Sequence, residues 1–287
     1  MCLSSTVRKL IETLRLIRVI NCIMAMLGVG LGAHLVEASV AYYGPAMAAL
    51  CAAFVCAAGN IVNDLVDIDI DRINRPQRVL VRQALSRRYA ITLAVILNLA
   101  ALAVALTVSM AVALIGLVAI GLLMAYNFKL KRVTFLGNVI ISILGGMTFL
   151  TGGMAVDTAA AFGLPGPLIP ALFAFIFHLV REIVKDVQDI EGDRRLEVRT
   201  LPQLVGVRRS LWLAWGFFML LAVLTLVPIL LDWFGGWYKL ITVFIMDLPL
   251  GALLFLLCLR PTDGMLQTVS WALKAGMVVG IVAIWVA

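Results

Sequence analysis

The sequence predicts an all-α integral membrane protein: nine transmembrane helices around a central cavity, with acidic motifs at the cytoplasmic ends of helices 2 and 6. Three observations predict it. Hydrophobic residues fill 63% of the 287 positions and charged residues only 14%, with a mean hydropathy of +1.07, which is not the composition of a soluble domain. Apolar runs of about 17–25 residues recur along the chain, the length a helix needs to cross a bilayer core. The runs lack the alternation of a lipid-facing barrel, so helices must satisfy the backbone where lipid offers no partners. A single membrane-embedded domain over residues 1–287 is expected.

An amphipathic start, Val7 to Leu14 with Arg8, Lys9, Arg15 and Arg18 around it, leads into span 1 (16–36), which carries Asn21 near its basic end. The segment has no small-residue cleavage site before a short apolar core, so no cleaved signal is expected. Span 2 (45–62) delivers the first acidic stretch, and a loop with Arg72, Arg75, Arg78, Arg82, Arg87 and Arg88 follows. Spans 3 and 4 (89–108 and 110–126) are separated too briefly for a domain and form a hairpin. Lys129, Lys131 and Arg132 precede span 5 (135–156), and the Gly- and Pro-rich stretch 157–170 is a loop on the opposite face. Span 6 (171–184) runs into the second acidic stretch. Spans 7, 8 and 9 cover 210–231, 240–259 and 268–287.

Positive charge orients these spans. With the N-terminus cytoplasmic, 21 of the 23 Lys and Arg residues fall in cytoplasmic segments, Lys239 lies outside and Lys274 lies within span 9. The active face is therefore expected at the cytoplasmic side of the cell membrane. The net charge of +7 is then the signature of membrane lipids and anionic substrates, with no nucleic acid implied. Five cysteines show neither metal-ligand spacing nor a disulfide framework and count as small apolar residues.

Asp64, Asp67, Asp69 and Asp71 fall within eight positions, and Asp64, Asp67 and Asp71 reappear 122 positions later as Asp186, Asp189 and Asp193. Spans 2 and 6 run in the same direction, so the shared spacing suggests a parallel internal repeat that faces two sites across a pseudo-axis. On a helix, Asn63, Asp67 and Asp71 are i, i+4 neighbours on one stripe, and Asp186, Asp189 and Asp193 share a face with Glu182. Carboxylates this close repel unless cations neutralise them. Hard oxygen donors without His or Cys point to Mg²⁺, which usually bridges carboxylates to phosphate oxygens. Arg72, Arg75, Lys129, Lys131 and Lys185 are candidates for the remaining phosphate charge, although each also serves as a topology determinant. A solvated loop explains one Asp-rich stretch but not two with matched spacing. A cation-coupled transporter is the other reading, and it predicts acids near mid-membrane in Gly/Pro-broken spans; here they sit at span ends.

Asn63-xxx-Asp67-xxx-Asp71 with Asp64, and Asp186-xx-Asp189-xx-Gly192-Asp193, resemble the paired signatures of UbiA-type intramembrane prenyltransferases, and the resemblance covers essentially the whole chain. It implies two Mg²⁺ ions that hold the diphosphate of an isoprenyl donor, ionisation to an allylic cation, and capture by a lipid acceptor. Carried over, Asn63, Asp67 and Asp71 would serve one ion and Asp189 and Asp193 the other, with Asp64 and Asp186 as further ligands or their support. Arg18, Asn21 and Lys129 are candidates for the acceptor or diphosphate pocket; for Asn21 a helix–helix hydrogen bond is the alternative.

The segments Leu16 to Ala25, Asp71-Arg72-Ile73-Asn74-Arg75-Pro76 and Arg181-Glu182-Ile183-Val184-Lys185-Asp186 are most similar to the geranylgeranylglyceryl-phosphate geranylgeranyltransferases of ether-lipid synthesis. That similarity implies a geranylgeranyl donor and a geranylgeranylglyceryl phosphate acceptor; aromatic-acceptor branches share the metal motifs but differ after the first. The stretch Arg78 to Gln83 departs from the family pattern, lacking its further prolines and Ser-Gly turn. Three polar residues inside spans have structural readings first. His178 is expected as a packing hydrogen-bonder, and Asp247 and Lys274 as an ion pair between spans 8 and 9.

Overall fold

A computed structural model describes residues 5–36, 42–191 and 200–287. Among the described residues every regular element is helical. They are α1 (Ser5–Ile17), α2 (Val19–His34), α3 (Tyr43–Val66), α4 (Ile68–Asn74), α5 (Arg87–Leu106), α6 (Met110–Phe128), α7 (Leu136–Met154), α8 (Leu168–Gln188), α9 (Leu201–Val205), α10 (Val207–Leu230), α11 (Gly236–Leu259) and α12 (Asp263–Trp285). Seven are long and apolar enough to cross a membrane: α3, α5, α6, α7, α10, α11 and α12. The bent pair α1–α2 makes an eighth. α8 is equally long but carries Arg181, Glu182 and Lys185 in its second half.

Local chemistry sets the breaks. Ser86, Ser109 and Thr262 cap α5, α6 and α12 by accepting from Tyr89 N, Val112 N and Met265 N, which satisfies amides the helix leaves open. Gly206, at φ 89°, starts α10 in a conformation that side-chain-bearing residues avoid. The chain turns by 54° between α1 and α2, with Arg18 in the left-handed region at the corner. α1 leaves Val7, Leu10 and Leu14 exposed while burying Glu12, which pairs with Arg15 and Arg82. Such an amphipathic helix beside a span suits the membrane interface. In α11, Leu240–Asp247 is π-helical just before Pro249; the proline has no N–H to donate to the preceding turn, and the widened ladder absorbs that loss.

α3 packs against α2, α5 and α6; α7 lies against α2 and α8; α8 also meets α10 and α12. The α2–α7 crossing rests on glycine. A Cβ on Gly32 would run into the Phe149 carbonyl, and one on Gly152 into the Val29 carbonyl. Small residues at both faces let the backbones touch, the usual basis of helix association where lipid removes the hydrophobic drive. The second half is held by an apolar cluster of Val180, Ile183, Leu211, Phe218, Leu254 and Leu273 with their neighbours. Outward positions stay apolar, for example Ile96 and Leu99 on α5, Leu117 on α6, Phe244 on α11 and Trp271 on α12, as a lipid-facing surface requires.

The repeat inferred from sequence has a backbone counterpart. α3 ends at Asp67 (φ −93°, ψ 12°), whose N–H donates to Asn63 O, and α8 ends at Asp189 (φ −92°, ψ 1°), whose N–H donates to Lys185 O. Both breaks occur at positions 122 apart. The unbroken helical column expected through Asp71 is therefore corrected: the first acidic stretch crosses a joint at Asp67 into α4.

Candidate active site

α3, α4 and α8 bring both acidic stretches to a cavity of about 730 Å³. Asn63, Asp67, Asp71, Asp186 and Asp189 all line it. Arg75 joins the two stretches directly, its Nη2 donating to Asp189 Oδ2 at 2.9 Å. Away from the acids the wall turns apolar, with Leu31, Leu123, Phe149, Phe177 and Ile284 among its residues. One end is therefore charged and the other suited to a hydrocarbon tail.

Each carboxylate has assigned company. Asp67 accepts from Asn63 Nδ2 at 2.5 Å and is paired with Lys131, so the i, i+4 contact expected from spacing is present. Asp186 accepts from Asn138 Nδ2 at 2.8 Å. Asp64 is only 2% exposed and does not line the cavity; Arg18 pairs with it, and Arg78 Nη1 reaches both its oxygens at 3.0 and 3.3 Å. A carboxylate held by two guanidiniums is a structural anchor that ties the α1–α2 corner to α3 and to the loop after α4. Burial raises the Asp71 carboxyl above its ordinary range; Arg78 pulls it back, while Asp64 and Asp67 push with burial. Burial likewise lowers the Arg78 guanidinium, helped by Arg18 and opposed by Asp64 and Asp71.

Arg18, Asn21, Arg75 and Lys185 line the cavity as sequence reasoning expected. Arg72 and Lys129 do not, which corrects their assignment to the substrate pocket. Arg72 is on the face of α4 turned from Asp71, exposed and paired with Asp69 at 2.9 Å. Lys129 is exposed where α6 ends, and the 3₁₀ turn Leu130–Arg132 swings Lys131 inward in its place. Asp193 lies outside the described residues. The expected Asp247–Lys274 pair is also corrected: Asp247 meets Thr225 Oγ1 at 2.8 Å, and Lys274 stands 4.6 Å from the Trp271 ring centroid on the cavity wall. His178 lines the cavity, with Nδ1 buried and without a partner.

Sequence reasoning missed several residues of the site. Arg78 was one arginine among six in a basic loop. Asn138, a lone amide inside an apolar run, was a visible signal passed over. Asn127 lines the cavity at 1% exposure, and neither its amide nitrogen nor its oxygen has a protein partner. A polar group so placed costs stability unless a ligand engages it.

The donors fit magnesium. They are carboxylate and amide oxygens at one mouth, and among the described residues no group of three or more His, Cys, Asp or Glu side chains is placed to hold a metal ion by itself. Mg²⁺ takes one or two carboxylates from protein and completes its shell with water and phosphate oxygens. An open, divided donor set is what that demands.

Comparison with known proteins agrees. The sequence profile of the UbiA prenyltransferase family matches residues 22–286. The chain is 36% identical to the digeranylgeranylglyceryl phosphate synthase of Methanopyrus kandleri over 94% of its own length and 96% of the relative's. It is 41% identical to the enzyme of that name from Natronomonas pharaonis over 69% and 70%. A solved structure of digeranylgeranylglyceryl phosphate synthase superposes with a TM-score of 0.76 at 32% identity, covering 96% of this chain and 97% of that one. A UbiA homologue from Archaeoglobus fulgidus, solved with DMAPP and Mg²⁺, shares the fold at a TM-score of 0.66 and 19% identity, over 96% of this chain and 100% of its own.

Proposed function

The chain belongs to the UbiA prenyltransferase family, and on that premise we propose that it transfers a geranylgeranyl group from its diphosphate to the glycerol hydroxyl of geranylgeranylglyceryl phosphate. The observation that carries this reading is the meeting of both acidic stretches at the charged end of one otherwise apolar cavity. The relatives named as digeranylgeranylglyceryl phosphate synthases support the acceptor.

In this reading Asn63, Asp67 and Asp71 hold one Mg²⁺ and Asp189 and Asp193 the other, with Asp186 beside them. The ions supply Lewis-acid stabilisation of the charge that develops on the leaving diphosphate. Asn138 orients Asp186. Lys131 and Arg75, on the cavity wall beside the acids, meet phosphate oxygens that the metals leave free. The carbon–oxygen bond breaks with its electron pair going to diphosphate, and an allylic cation remains in the apolar part of the cavity. Leu31, Phe149 and Phe177 keep water from that cation. The acceptor oxygen then forms the new bond and releases its proton. The prenyl tail lies along the apolar wall, where each CH₂ taken from water contributes about 0.8 kcal/mol, and less when taken from lipid.

The same proposal places nine spans in the cell membrane: α2, α3, α5, α6, α7, α8, α10, α11 and α12. The N-terminus and the active site are cytoplasmic, and residues 1–287 form one catalytic unit. The test is a product analysis in detergent with geranylgeranyl diphosphate and Mg²⁺, offering geranylgeranylglyceryl phosphate against 4-hydroxybenzoate and a naphthoate. The expected product is the diether phosphate alone. Prenylation of an aromatic acceptor in its place overturns the acceptor, and wild-type diphosphate release in Asp67→Ala and Asp189→Ala overturns the metal assignment.

A further inference from the structure

The cavity holds more positive charge than the donor site requires, and the surplus is on one side. Around the first acidic stretch, cations and carboxylates balance: Arg18 and Arg78 face Asp64 and Asp71, Lys131 faces Asp67, and Arg75 faces Asp189. On the wall made by α8 and α12 they do not. Glu182 is shared by Arg181 at 2.8 Å and Lys185 at 3.0 Å. Lys274 completes that wall without any carboxylate partner among the described residues, and the charged groups acting on it are Arg181, Arg75 and Lys185, all cations. Asp186 lines the same wall and accepts from Asn138, so three cations face two acids and one positive charge is in excess.

Lys274 has no topological reason to be there. It is eleven residues into α12, about 16 Å along the helix axis, too deep to count as a loop determinant. An unpaired lysine at such depth disfavours insertion by roughly 2.5–3.5 kcal/mol, so intramembrane cations are normally kept for a ligand. Its one aromatic neighbour, Trp271, accounts for the stem's position. The Arg181 Nε is also buried without a partner, and both residues line the cavity.

We propose that Arg181 and Lys274 form a second, metal-independent anion site that binds the phosphate monoester of the lipid acceptor, separate from the carboxylate-rich end that takes the donor diphosphate. This rests on the acceptor assigned above and adds which residues recognise it. A phosphate monoester carries about −1.5 to −2 at neutral pH, enough to engage Lys274 and the open Nε of Arg181 together. Glu182 is already held by Arg181 and Lys185, so no divalent ion is needed to offset it. Holding the acceptor phosphate on cations of its own leaves the acceptor hydroxyl free to approach the allylic carbon, and it makes the phosphorylated acceptor preferred over its alcohol.

The test compares wild type, Lys274→Gln and Lys274→Arg in detergent, with geranylgeranylglyceryl phosphate and with unphosphorylated geranylgeranylglycerol as acceptors at saturating donor. In Lys274→Gln the KM for the phosphorylated acceptor is expected to rise about 10- to 100-fold. The donor KM should stay within about twofold, the preference in kcat/KM for the phosphorylated acceptor over the alcohol should collapse, and Lys274→Arg should recover most of the loss. Binding of the phosphorylated lipid without donor, followed by calorimetric titration in detergent, should weaken by the same factor. A wild-type KM in Lys274→Gln overturns the site, and so does a matching rise in donor KM, which would assign the surplus to the diphosphate. The two readings fail separately. Weakened lipid binding in Lys274→Gln, in a protein that does not turn this acceptor over, refutes the reaction and keeps the site. Turnover that is indifferent to Lys274 does the reverse.

Discussion

Asp64→Asn should separate a structural carboxylate from the neighbours proposed to hold the metals. Asp64 is 2% exposed, and Arg18 and Arg78 converge on it from two different segments. Removing one partner of a buried ion pair costs roughly 3–5 kcal/mol, because the remaining charge is left desolvated. The two guanidiniums are 26% and 19% exposed, so water reaches them, and Arg78 keeps Asp71 within 4.0 Å; the cost falls to roughly 2–3 kcal/mol. At about 2–4 °C per kcal/mol for a chain of this size, the apparent Tm in detergent should drop by roughly 4–12 °C. The Mg²⁺ concentration for half-maximal turnover should stay within about twofold of wild type when measured well below that Tm. Asp67→Asn should behave in the opposite way, with a near-native melt and a turnover loss of about 100-fold or more. An Asp64→Asn protein that melts normally but needs far more Mg²⁺ would refute the reasoning and return Asp64 to the metal.

Gly32→Ala and Gly152→Ala each push a methyl into a facing backbone carbonyl, so each should destabilise by about 1–3 kcal/mol, seen as a lower melting midpoint. Gly121→Ala on α6 has nothing within 4 Å and should melt as wild type. Arg72→Ala and Lys129→Ala, both exposed and away from the cavity, should leave kcat/KM within about twofold. Lys131→Met should raise the donor KM about tenfold or more in steady-state assays, since it removes a cation from the acid-lined end. Chelation of divalent ions should abolish diphosphate release and return it on adding Mg²⁺.

Much of this was legible in the sequence because a bilayer imposes long apolar runs whatever their neighbours are. The expected span bounds lie within a few residues of helices α2, α3, α5–α8 and α10–α12, apart from the N-terminal ends of α11 and α12. Among the described residues, however, seven helices, or eight with the bent α1–α2 pair, are long and apolar enough to cross a membrane, against the nine expected. The paired acids were legible as well, since a repeat of 122 residues leaves its spacing in the chain. What hydropathy does not encode is which side chains meet across helices. Lys129 and Lys131 are two residues apart in the same basic turn, and only the 3₁₀ geometry after α6 decides that Lys131 faces Asp67. Gly32 and Gly152 read as ordinary apolar-span residues until their two backbones are seen in contact. Asp247 and Lys274 had opposite charges on neighbouring spans, which suggested a pair, but Thr225 on α10 holds Asp247.

That last outcome changes what the charges say. If Asp247 had neutralised Lys274, the cations along α8 and α12 would have been structural, and every charge in the cavity would have served one diphosphate. With Lys274 released to the cavity, the two halves of the repeat differ. The first half matches each cation with an acid, while on α8 and α12 Arg181, Lys185 and Lys274 face Glu182 and Asp186, an excess of one positive charge. A duplicated pair of metal motifs alone predicts a symmetric clamp on one pyrophosphate. Asymmetric charge around the matching backbone joints at Asp67 and Asp189 is the arrangement that the proposed reaction needs, in which both substrates carry phosphate and only the donor gives its diphosphate up.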